Sequence, residues 1–292
     1  MSRRGGTWYP RNIAYFACLH LLPFGALITG AGAGVAVAAG ILYVVRVWFV
    51  AAGYHCYFSH RSFKTSRAFQ LVLAVGAQTS GQGSVLRWAT AHRVHHAHAD
   101  TASDLHSPDR HGFWYAHMGW LLRTGYVARS EPRAGALMRF PELVWLDRYH
   151  YVPTLALAAV MLTGFGWPGL FVGYGLSTVL VFHATFTVNS LAHRFGTQPY
   201  PTGDHSRNNW FVALIMLGGG WHNNHHRYPQ SARQGLRWWE LDVTYLVLVV
   251  LRWTGLVSAI RVAPLVGAGG SPAAVVSGAG APQTPERSHP PC

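Results

Sequence analysis

The sequence predicts an all-α integral membrane protein whose helices hold a dimetal centre at one end. Half of the 292 residues are hydrophobic and only 11% are charged, which is unusual for a soluble globular domain. Four apolar stretches approach the ~20 residues that a bilayer core requires. They run roughly over residues 13–29, 31–54, 152–167 and 169–191. Two shorter apolar segments, 68–80 and 241–260, suit a re-entrant or buried segment and an interfacial helix.

Two short turns divide the four predicted spans into two helical hairpins. The turns are TGAGAG at 29–34 and GFGWPG at 164–169, and all 23 Lys and Arg lie outside them. Because basic residues favour the cytoplasmic side, both termini and the ends of the spans that carry the histidines are expected to face the cytoplasm. The membrane domain is predicted over 13–266. It follows a cytoplasmic segment, 1–12, and precedes a tail, 267–292, whose composition predicts disorder.

The net charge of +13 is explained by basic cytoplasmic segments beside an anionic leaflet. A nucleic-acid-binding protein would instead cluster its basic residues on one element with stacking aromatics, so no nucleic-acid partner is expected. Arg46 lies near the cytoplasmic end of the second span, and its side chain is expected to snorkel toward the interface.

Histidines occur in three boxes, HCYFSH, HRVHH and HNNHH, and in a fourth element, NSLAH. In HxxHH the rings at i, i+3 and i+4 share a helical face, which places them within reach of one metal. Five residues turn an ideal helix by roughly 140°, so the two histidines of the first box are expected on different faces, with the second beyond a helix end. The candidate ligands are His55, His60, His92, His95, His96, Asn189, His193, His222, His225 and His226.

Nine imidazoles exceed the four ligands of a zinc site and suit two irons with open positions for oxygen. The chain has no HExxH and only ten acids, which argues against a zinc hydrolase. It also lacks the Glu-x-x-His ligands of soluble di-iron bundles. Three scattered cysteines cannot supply the four thiolates of an iron–sulfur cluster.

Residues beside the boxes are expected to support the ligands. Asp104 is the preferred acceptor for a ligand N–H, with Asp204 and Asp242 as further candidates. The remaining histidines near the boxes could contact ligands or substrate, whereas four others are expected to be ordinary surface or core residues. That second group is His20, His150, His183 and His289.

The order and spacing of these motifs resemble those of membrane-bound fatty acid desaturases of the stearoyl-CoA type. The resemblance covers roughly residues 13–260 and includes GFWYAHMGWLL at 112–122, VNSLAHRFG at 188–196 and GWHNNHHRYP at 220–229. It implies four membrane helices under a helical cytoplasmic cap that holds a di-iron centre. It also implies nine histidine ligands, with Asn189 acting through a water and sharing one iron with His193.

The chain departs from the family pattern at three positions. Gly219 stands where members commonly have Glu, beside the third box. Thr90 replaces an Arg that meets the CoA phosphates in vertebrate members, and Phe186 replaces a Trp.

The resemblance implies an O₂-dependent desaturase that introduces a cis double bond, near the ninth carbon, into a long saturated acyl chain. Acyl-CoA is the favoured substrate, with an acyl-lipid desaturase, a di-iron fatty acyl hydroxylase and a non-catalytic metal-binding membrane protein as alternatives. The chain has no flavin, haem or iron–sulfur motif, so we expect an external ferredoxin or cytochrome-type electron donor. The candidate substrate contacts are Phe186, Arg87, Arg93, Arg227 and Arg233.

Overall fold

The computed structural model describes residues 7–123 and 135–265, so the predicted tail, 267–292, lies outside the described residues. The α-helices are α1 Pro10–Leu21, α2 Ala26–Thr29, α3 Ala33–Trp48, α4 Arg67–Gln78, α5 Val85–His98, α6 Pro108–His111, α7 Phe113–His117, α8 Pro141–Arg148, α9 Val152–Pro168, α10 Ser177–Ser190, α11 Trp210–Ile215, α12 His222–Arg227 and α13 Val243–Trp253.

Wider and tighter helical turns join several of these helices. Phe49–Ser59 and Gly169–Leu176 are π-helical, and Leu22–Gly25, Gly119–Leu122, Gly135–Arg139 and Leu191–His193 are 3₁₀-helical. Two short strands, β1 Lys64–Thr65 and β2 Val257–Ser258, pair antiparallel. The all-α class predicted from the sequence is therefore confirmed.

Within the described residues, three helical segments are long and apolar enough to cross a membrane: Pro10–Thr29, Ala33–Ser59 and Val152–His193. The third has 42 residues and reverses direction at Gly166, whose φ is +65°. Thr154 Oγ1 lies 2.9 Å from Tyr174 Oη, although twenty residues of straight helix would separate them by about 30 Å. The segment therefore forms two antiparallel arms that meet at the predicted turn, 164–169.

Small residues let the two arms approach each other closely. Gly169 and Gly173 pack directly on Met161. A Cβ atom at Gly169 would collide with the Met161 backbone carbonyl, and one at Gly173 would displace the terminal methyl of the Met161 side chain. Such close packing of small residues stabilises helix pairs where the surroundings are apolar.

Arg46 is buried and does not snorkel, contrary to the sequence-based expectation. Its side chain is 1% exposed, and its guanidinium donates to Thr178 Oγ1 at 2.7 Å and to Ser177 Oγ. It also donates to the Leu42 and Thr79 carbonyls. Hydroxyls from α10 thus replace the water that snorkelling would have reached, and the arginine ties α3 to α10.

Helices α4, α8 and α13 pack on the end of the apolar segment Ala33–Ser59. Leu73 of α4, Leu143 of α8 and Leu248 of α13 share one buried cluster with Val47 and Tyr54. Side-chain caps fix where these helices begin, since Ser66, Ser84 and Asp242 accept the Phe69, Arg87 and Tyr245 backbone N–H groups. The segment predicted as re-entrant or buried, 68–80, is the half-buried helix α4.

Candidate metal centre

The first histidine box lies on a π-helical turn. The His60 backbone N–H donates to the His55 carbonyl at 3.2 Å, a bond between residues five apart in the chain. His60 directly follows the helix, as the sequence predicts. The expectation that the two rings lie on different faces is wrong, because the wider turn brings their centroids to 4.8 Å.

The second and third boxes lie on α5 and α12, and the histidines of each box are divided between the same two groups. His92 and His96 of α5 join one group, whereas His95 joins the other. On α12, His222 and His226 stay together and His225 joins the first group. We expected the three rings of an HxxHH box to reach one metal, and this expectation is wrong. The rings at i+3 and i+4 point about 100° apart around the helix, so they enter different groups.

The nine histidines form two adjacent clusters in which the candidate ligand atoms lie within 4.8 Å of one another. The five-histidine cluster is His55, His60, His92, His96 and His225, and the four-histidine cluster is His95, His193, His222 and His226. The clusters adjoin, since the His96 and His226 ring centroids are 4.4 Å apart. All nine predicted histidines are thus brought together.

The Nε2 atoms of the five-histidine cluster face one another. His92 Nε2 lies 2.8 Å from His60 Nε2 and 3.0 Å from His96 Nε2. His225 Nε2 lies 2.9 Å from both His55 Nε2 and His96 Nε2. A neutral ring carries one proton, so ring protons cannot satisfy every contact among five nitrogens that face one another. The cluster could instead hold a metal ion.

Carboxylates orient three rings of the four-histidine cluster from behind. Asp104 accepts from His95 Nδ1 at 3.1 Å, Asp100 from His193 Nδ1 at 2.9 Å and Asp204 from His226 Nδ1 at 2.6 Å. Since each Nδ1 carries the proton, each Nε2 presents its lone pair to the cluster, the tautomer that a metal ligand needs.

The preferred acid, Asp104, therefore lies where the sequence suggests, and Asp204 holds a second ring. Asp242 instead accepts backbone N–H groups of Gln234 and Tyr245 and caps α13. Asp100 was missed, although its position four residues after His96 was a usable signal.

Burial keeps several of the imidazoles neutral. Desolvation lowers the pKa of His60, His92, His96, His222 and His225 well below the ordinary value, because the charged ring would lose its hydration. For the carboxyl groups, burial acts on the pKa in the opposite direction. Burial would raise the pKa of Asp204, but the hydrogen bond from His226 and its charge outweigh this and hold that pKa below the usual range.

Two asparagines of the third box anchor α12 rather than facing the clusters. Asn223 accepts the Tyr200 backbone N–H at 2.8 Å, and Asn224 donates to the Gln234 carbonyl at 2.9 Å. Both are buried, and both receive support from Asn208, which accepts their backbone N–H groups. The third box thus combines outward anchors with inward ligands on a helix of six residues.

A cavity of about 470 Å³ reaches the five-histidine cluster at His92. His92 and His106 line its inner part together with Trp88, Trp120, Phe186 and Asn189. Trp88 stacks between Tyr54 and His92 at centroid distances of 5.2 and 5.0 Å. The cavity is of the size and largely apolar character of small-molecule sites.

The predicted substrate residues fall into two groups. Phe186 and Arg87 line the cavity, and Asn189 lies on its wall four residues before His193. Arg93 donates to the Phe58 and Ser59 carbonyls at the end of the π-helix, and Arg233 donates to the Gly235 carbonyl. Arg227 lies over the Tyr228 ring. The structure does not bring these three arginines to the cavity wall.

Three further histidines form a hydrogen-bonded chain that joins α1, α10 and α7. His20 Nδ1 lies 2.7 Å from the Phe16 carbonyl, and His20 Nε2 lies 3.0 Å from His183 Nε2. His183 Nδ1 then lies 2.9 Å from His117 Nε2. Because a carbonyl only accepts, His20 carries its proton on Nδ1 and accepts from His183. His20 and His183 thus satisfy each other and connect helices.

The fold and the two clusters define a helical protein with membrane-length apolar segments and adjacent histidine sites able to hold metal ions. A profile of the fatty acid desaturase family matches residues 31–249. The chain is 34% identical to an sn-1 stearoyl-lipid 9-desaturase of Anabaena variabilis, over 86% of this chain and 93% of that protein. It is 35% identical to an acyl-CoA C20 Δ5-desaturase of Anemone leveillei, over 86% and 81%.

A third relative, a chloroplastic palmitoyl-monogalactosyldiacylglycerol Δ7-desaturase of Arabidopsis thaliana, is 36% identical over 85% of this chain and 68% of that protein. The chain therefore belongs to the fatty acid desaturase family and is an oxidoreductase.

Proposed function

We propose that the protein is an oxygen-dependent di-iron desaturase that introduces a cis double bond, near the ninth carbon, into a long saturated acyl chain. The observation that carries this proposal is the cavity wall, where His92 of the five-histidine cluster and Asn189 meet an otherwise largely apolar space. An acyl chain in this cavity would pass beside the metal centre.

The donor set fits two metal ions, one held by five histidines and the other by four. Ring nitrogens at right angles around a metal are about 2.9 Å apart for bonds of about 2.05 Å, and about 3.3 Å apart at the tetrahedral angle of zinc. The Nε2 separations of 2.8–3.0 Å in the five-histidine cluster match the first value. Imidazole ligands suit iron, and five ligands exceed a tetrahedral site.

Bound iron would supply the oxygen chemistry needed to remove two hydrogens from an unactivated CH₂–CH₂ unit. The protein's residues would hold the iron and orient its ligands and the acyl chain. Asp100, Asp104 and Asp204 fix ring tautomers, and Asn189 would hold a water beside His193, as the family resemblance implies. Trp88, Trp120 and Phe186 would exclude bulk water and confine the acyl chain.

Electrons must come from outside the chain, since O₂ reduction to water with formation of one double bond requires two of them. We propose a ferredoxin or cytochrome-type donor that docks on the basic cytoplasmic face. Binding through exposed charges should weaken as salt rises, because the Debye length is about 8 Å at physiological ionic strength.

We also propose four membrane passes in two hairpins, with both termini and the metal centre cytoplasmic. The reversal at Gly166 supports the second hairpin, and Gly30–Gly32 separates Pro10–Thr29 from Ala33–Ser59 in the first. Both turns lack Lys and Arg, as non-cytoplasmic loops do.

The test is turnover by purified, iron-loaded protein with an electron donor and saturated acyl substrates, with products identified by mass spectrometry. An O₂-dependent monounsaturated product that disappears in His225→Ala supports the proposal. Full activity with zinc alone would contradict the di-iron centre, and a hydroxylated product in place of an alkene would identify a hydroxylase.

A further inference from the structure

We propose that the cavity takes the acyl chain of an intact membrane phospholipid, which enters sideways from the bilayer past Tyr15. The lipid phosphate would stay at the interface beside Arg11 and Arg87. This inference rests on the proposed desaturase function and adds the substrate class and its route of entry.

The rim of the cavity lies where two apolar helices begin. Arg11 and Asn12 belong to the first turn of α1, and His150 and Tyr151 directly precede α9. If both helices enter the membrane, these positions lie at the membrane–water interface, where aromatic and basic residues are enriched. The cavity then opens at the level of lipid headgroups rather than on the aqueous top of the protein.

Tyr15 of α1 forms part of the cavity wall. It lines the cavity, and 41% of its surface is exposed. Its hydroxyl donates to the Gly81 carbonyl at 3.3 Å, which closes the space between α1 and the segment before α5. Movement of this one ring would connect the cavity with the lipid that surrounds α1.

The helix that carries Tyr15 is exposed along one side. Ile13, Ala14, Ala17 and Cys18 are exposed, and Leu19 is the buried residue of α1. Polar contacts hold α1 near its two ends, from Asn12 to the Leu121 carbonyl at 2.7 Å and from His20 to His183 at 3.0 Å. The middle of the helix is held by the longer bond from Tyr15 to the Gly81 carbonyl, at 3.3 Å, and is the part that we expect to yield to an entering chain.

The charge at the rim suits one phosphate. Of the arginines in the described part of the chain, Arg11 and Arg87 line the cavity, and Arg87 Nε lies 3.6 Å from Asp147, which offsets part of its charge. CoA carries several phosphates and would require more converging cations. Arg93 and Arg233, which the sequence offers for that purpose, already donate to backbone carbonyls.

The deciding experiment presents two carriers to the same iron-loaded enzyme and donor in vesicles that lack acyltransferase. One arm contains 1-stearoyl-2-oleoyl-phosphatidylglycerol without CoA, and the other contains stearoyl-CoA in vesicles of unsaturated lipid. We expect the new double bond in the intact phospholipid. Conversion of stearoyl-CoA alone would overturn the inference and leave the desaturase standing, whereas an inactive enzyme in both arms would contradict the proposed function.

The headgroup contact is tested with Arg11→Gln. The KM for stearoyl-phosphatidylglycerol should rise roughly tenfold through loss of a charge-assisted hydrogen bond, while the KM for stearoyl monogalactosyldiacylglycerol, which has no phosphate, should stay unchanged. Arg252→Gln, at an exposed position in the last turn of α13, is the matched control. An equal change for both lipids would overturn the phosphate contact.

The entry route is tested by blocking it. Tyr15→Cys, in a Cys18→Ser and Cys292→Ser background, is modified with a bulky lipid-soluble maleimide. Labelling should abolish turnover of the phospholipid, whereas the same label at the exposed neighbour, Ala14→Cys, should leave turnover intact. Full activity of the labelled Tyr15→Cys protein would overturn entry past this side chain.

Discussion

The His60 backbone N–H lies 3.2 Å from the His55 carbonyl oxygen, and this one π-type bond decides how the first histidine box works. An α-helical turn would direct the two rings to different faces. The wider turn lets both rings enter the five-histidine cluster, where His55 meets His225 and His60 meets His92. Arg93 stabilises the end of this turn by donating to the Phe58 and Ser59 carbonyls.

The division into two clusters predicts separable metal sites. His225→Ala should remove the iron of the five-histidine cluster, and His222→Ala that of the four-histidine cluster, since each change deletes one ligand. Both variants should lose activity and retain roughly one iron per chain by elemental analysis. His111→Ala, at an exposed position, should retain two. Wild-type iron content in either ligand variant would contradict the assignment.

Asp100 is predicted to set the affinity of the four-histidine cluster. In Asp100→Asn the His193 Nδ1–H loses its charged acceptor, so iron affinity at this cluster should fall about 10–100-fold. Iron retention during chelator titration measures the change. Asp109→Asn, which removes an acid that pairs with Arg194 and His205 instead, is the control, and an equal loss of iron there would argue against a specific role.

The metal-free protein should lose stability as the pH falls below about 6.5. Burial lowers the pKa of His226 to about 4, although the hydrogen bond to Asp204 partly opposes this. Between pH 6.5 and pH 4 the histidine is protonated more in the unfolded chain than in the folded protein. The free energy of unfolding therefore decreases as the pH is lowered through this range. The carboxylates that accept from the rings keep their contribution until lower pH, because their pKa values are lowered.

The thermal midpoint of the apoprotein, measured from pH 7.5 to 4.5, checks this direction. Iron-loaded protein should be less sensitive in the upper part of this range, because the metal competes with protons for Nε2. An apoprotein midpoint that stays constant or rises on acidification would be incompatible with neutral buried histidines.

The histidine chain is predicted to stabilise the fold rather than the metal. His183→Ala leaves His20 and His117 without their shared partner, which should cost about 1–3 kcal/mol of stability. The thermal midpoint should fall while iron content stays at the wild-type value. Leu180→Ala, at a position that is 46% exposed on the same helix, should change the midpoint little. Loss of iron in His183→Ala would instead connect the chain with the metal centre.

Thiol labelling tests the proposed orientation in the membrane. With Cys18 and Cys292 replaced by Ser, cysteines at Ala31 and Trp167 should react with a membrane-impermeant reagent added outside intact cells. A cysteine at Lys64, which is exposed, should react only after lysis; Ser62 is fully buried and unsuitable. External labelling at Lys64 would place the metal centre on the opposite side.

Much of the fold and of the candidate ligand set could be predicted from the sequence, because both depend on local patterns. A run of apolar residues specifies a membrane-length helix whatever its neighbours are. The spacing of HxxHH and NxxxH identifies candidate metal ligands without knowledge of their partners. The same patterns predicted the turn at 164–169 but could not show that Gly169 and Gly173 pack against Met161.

Tertiary structure alone decided which cluster each histidine joins, which ring each acid supports and which groups accept hydrogen bonds from Arg46. Asp100 and His193 are 93 residues apart, and Arg46 and Thr178 are 132 apart. No local period relates such positions, since packing of separate helices brings them together. The π-turn at His55–His60 departs from the ideal helical period on which the sequence argument depended. The sequence therefore determined which side chains can act as ligands or hydrogen-bond partners. The packing of the helices determined which of these side chains contact one another.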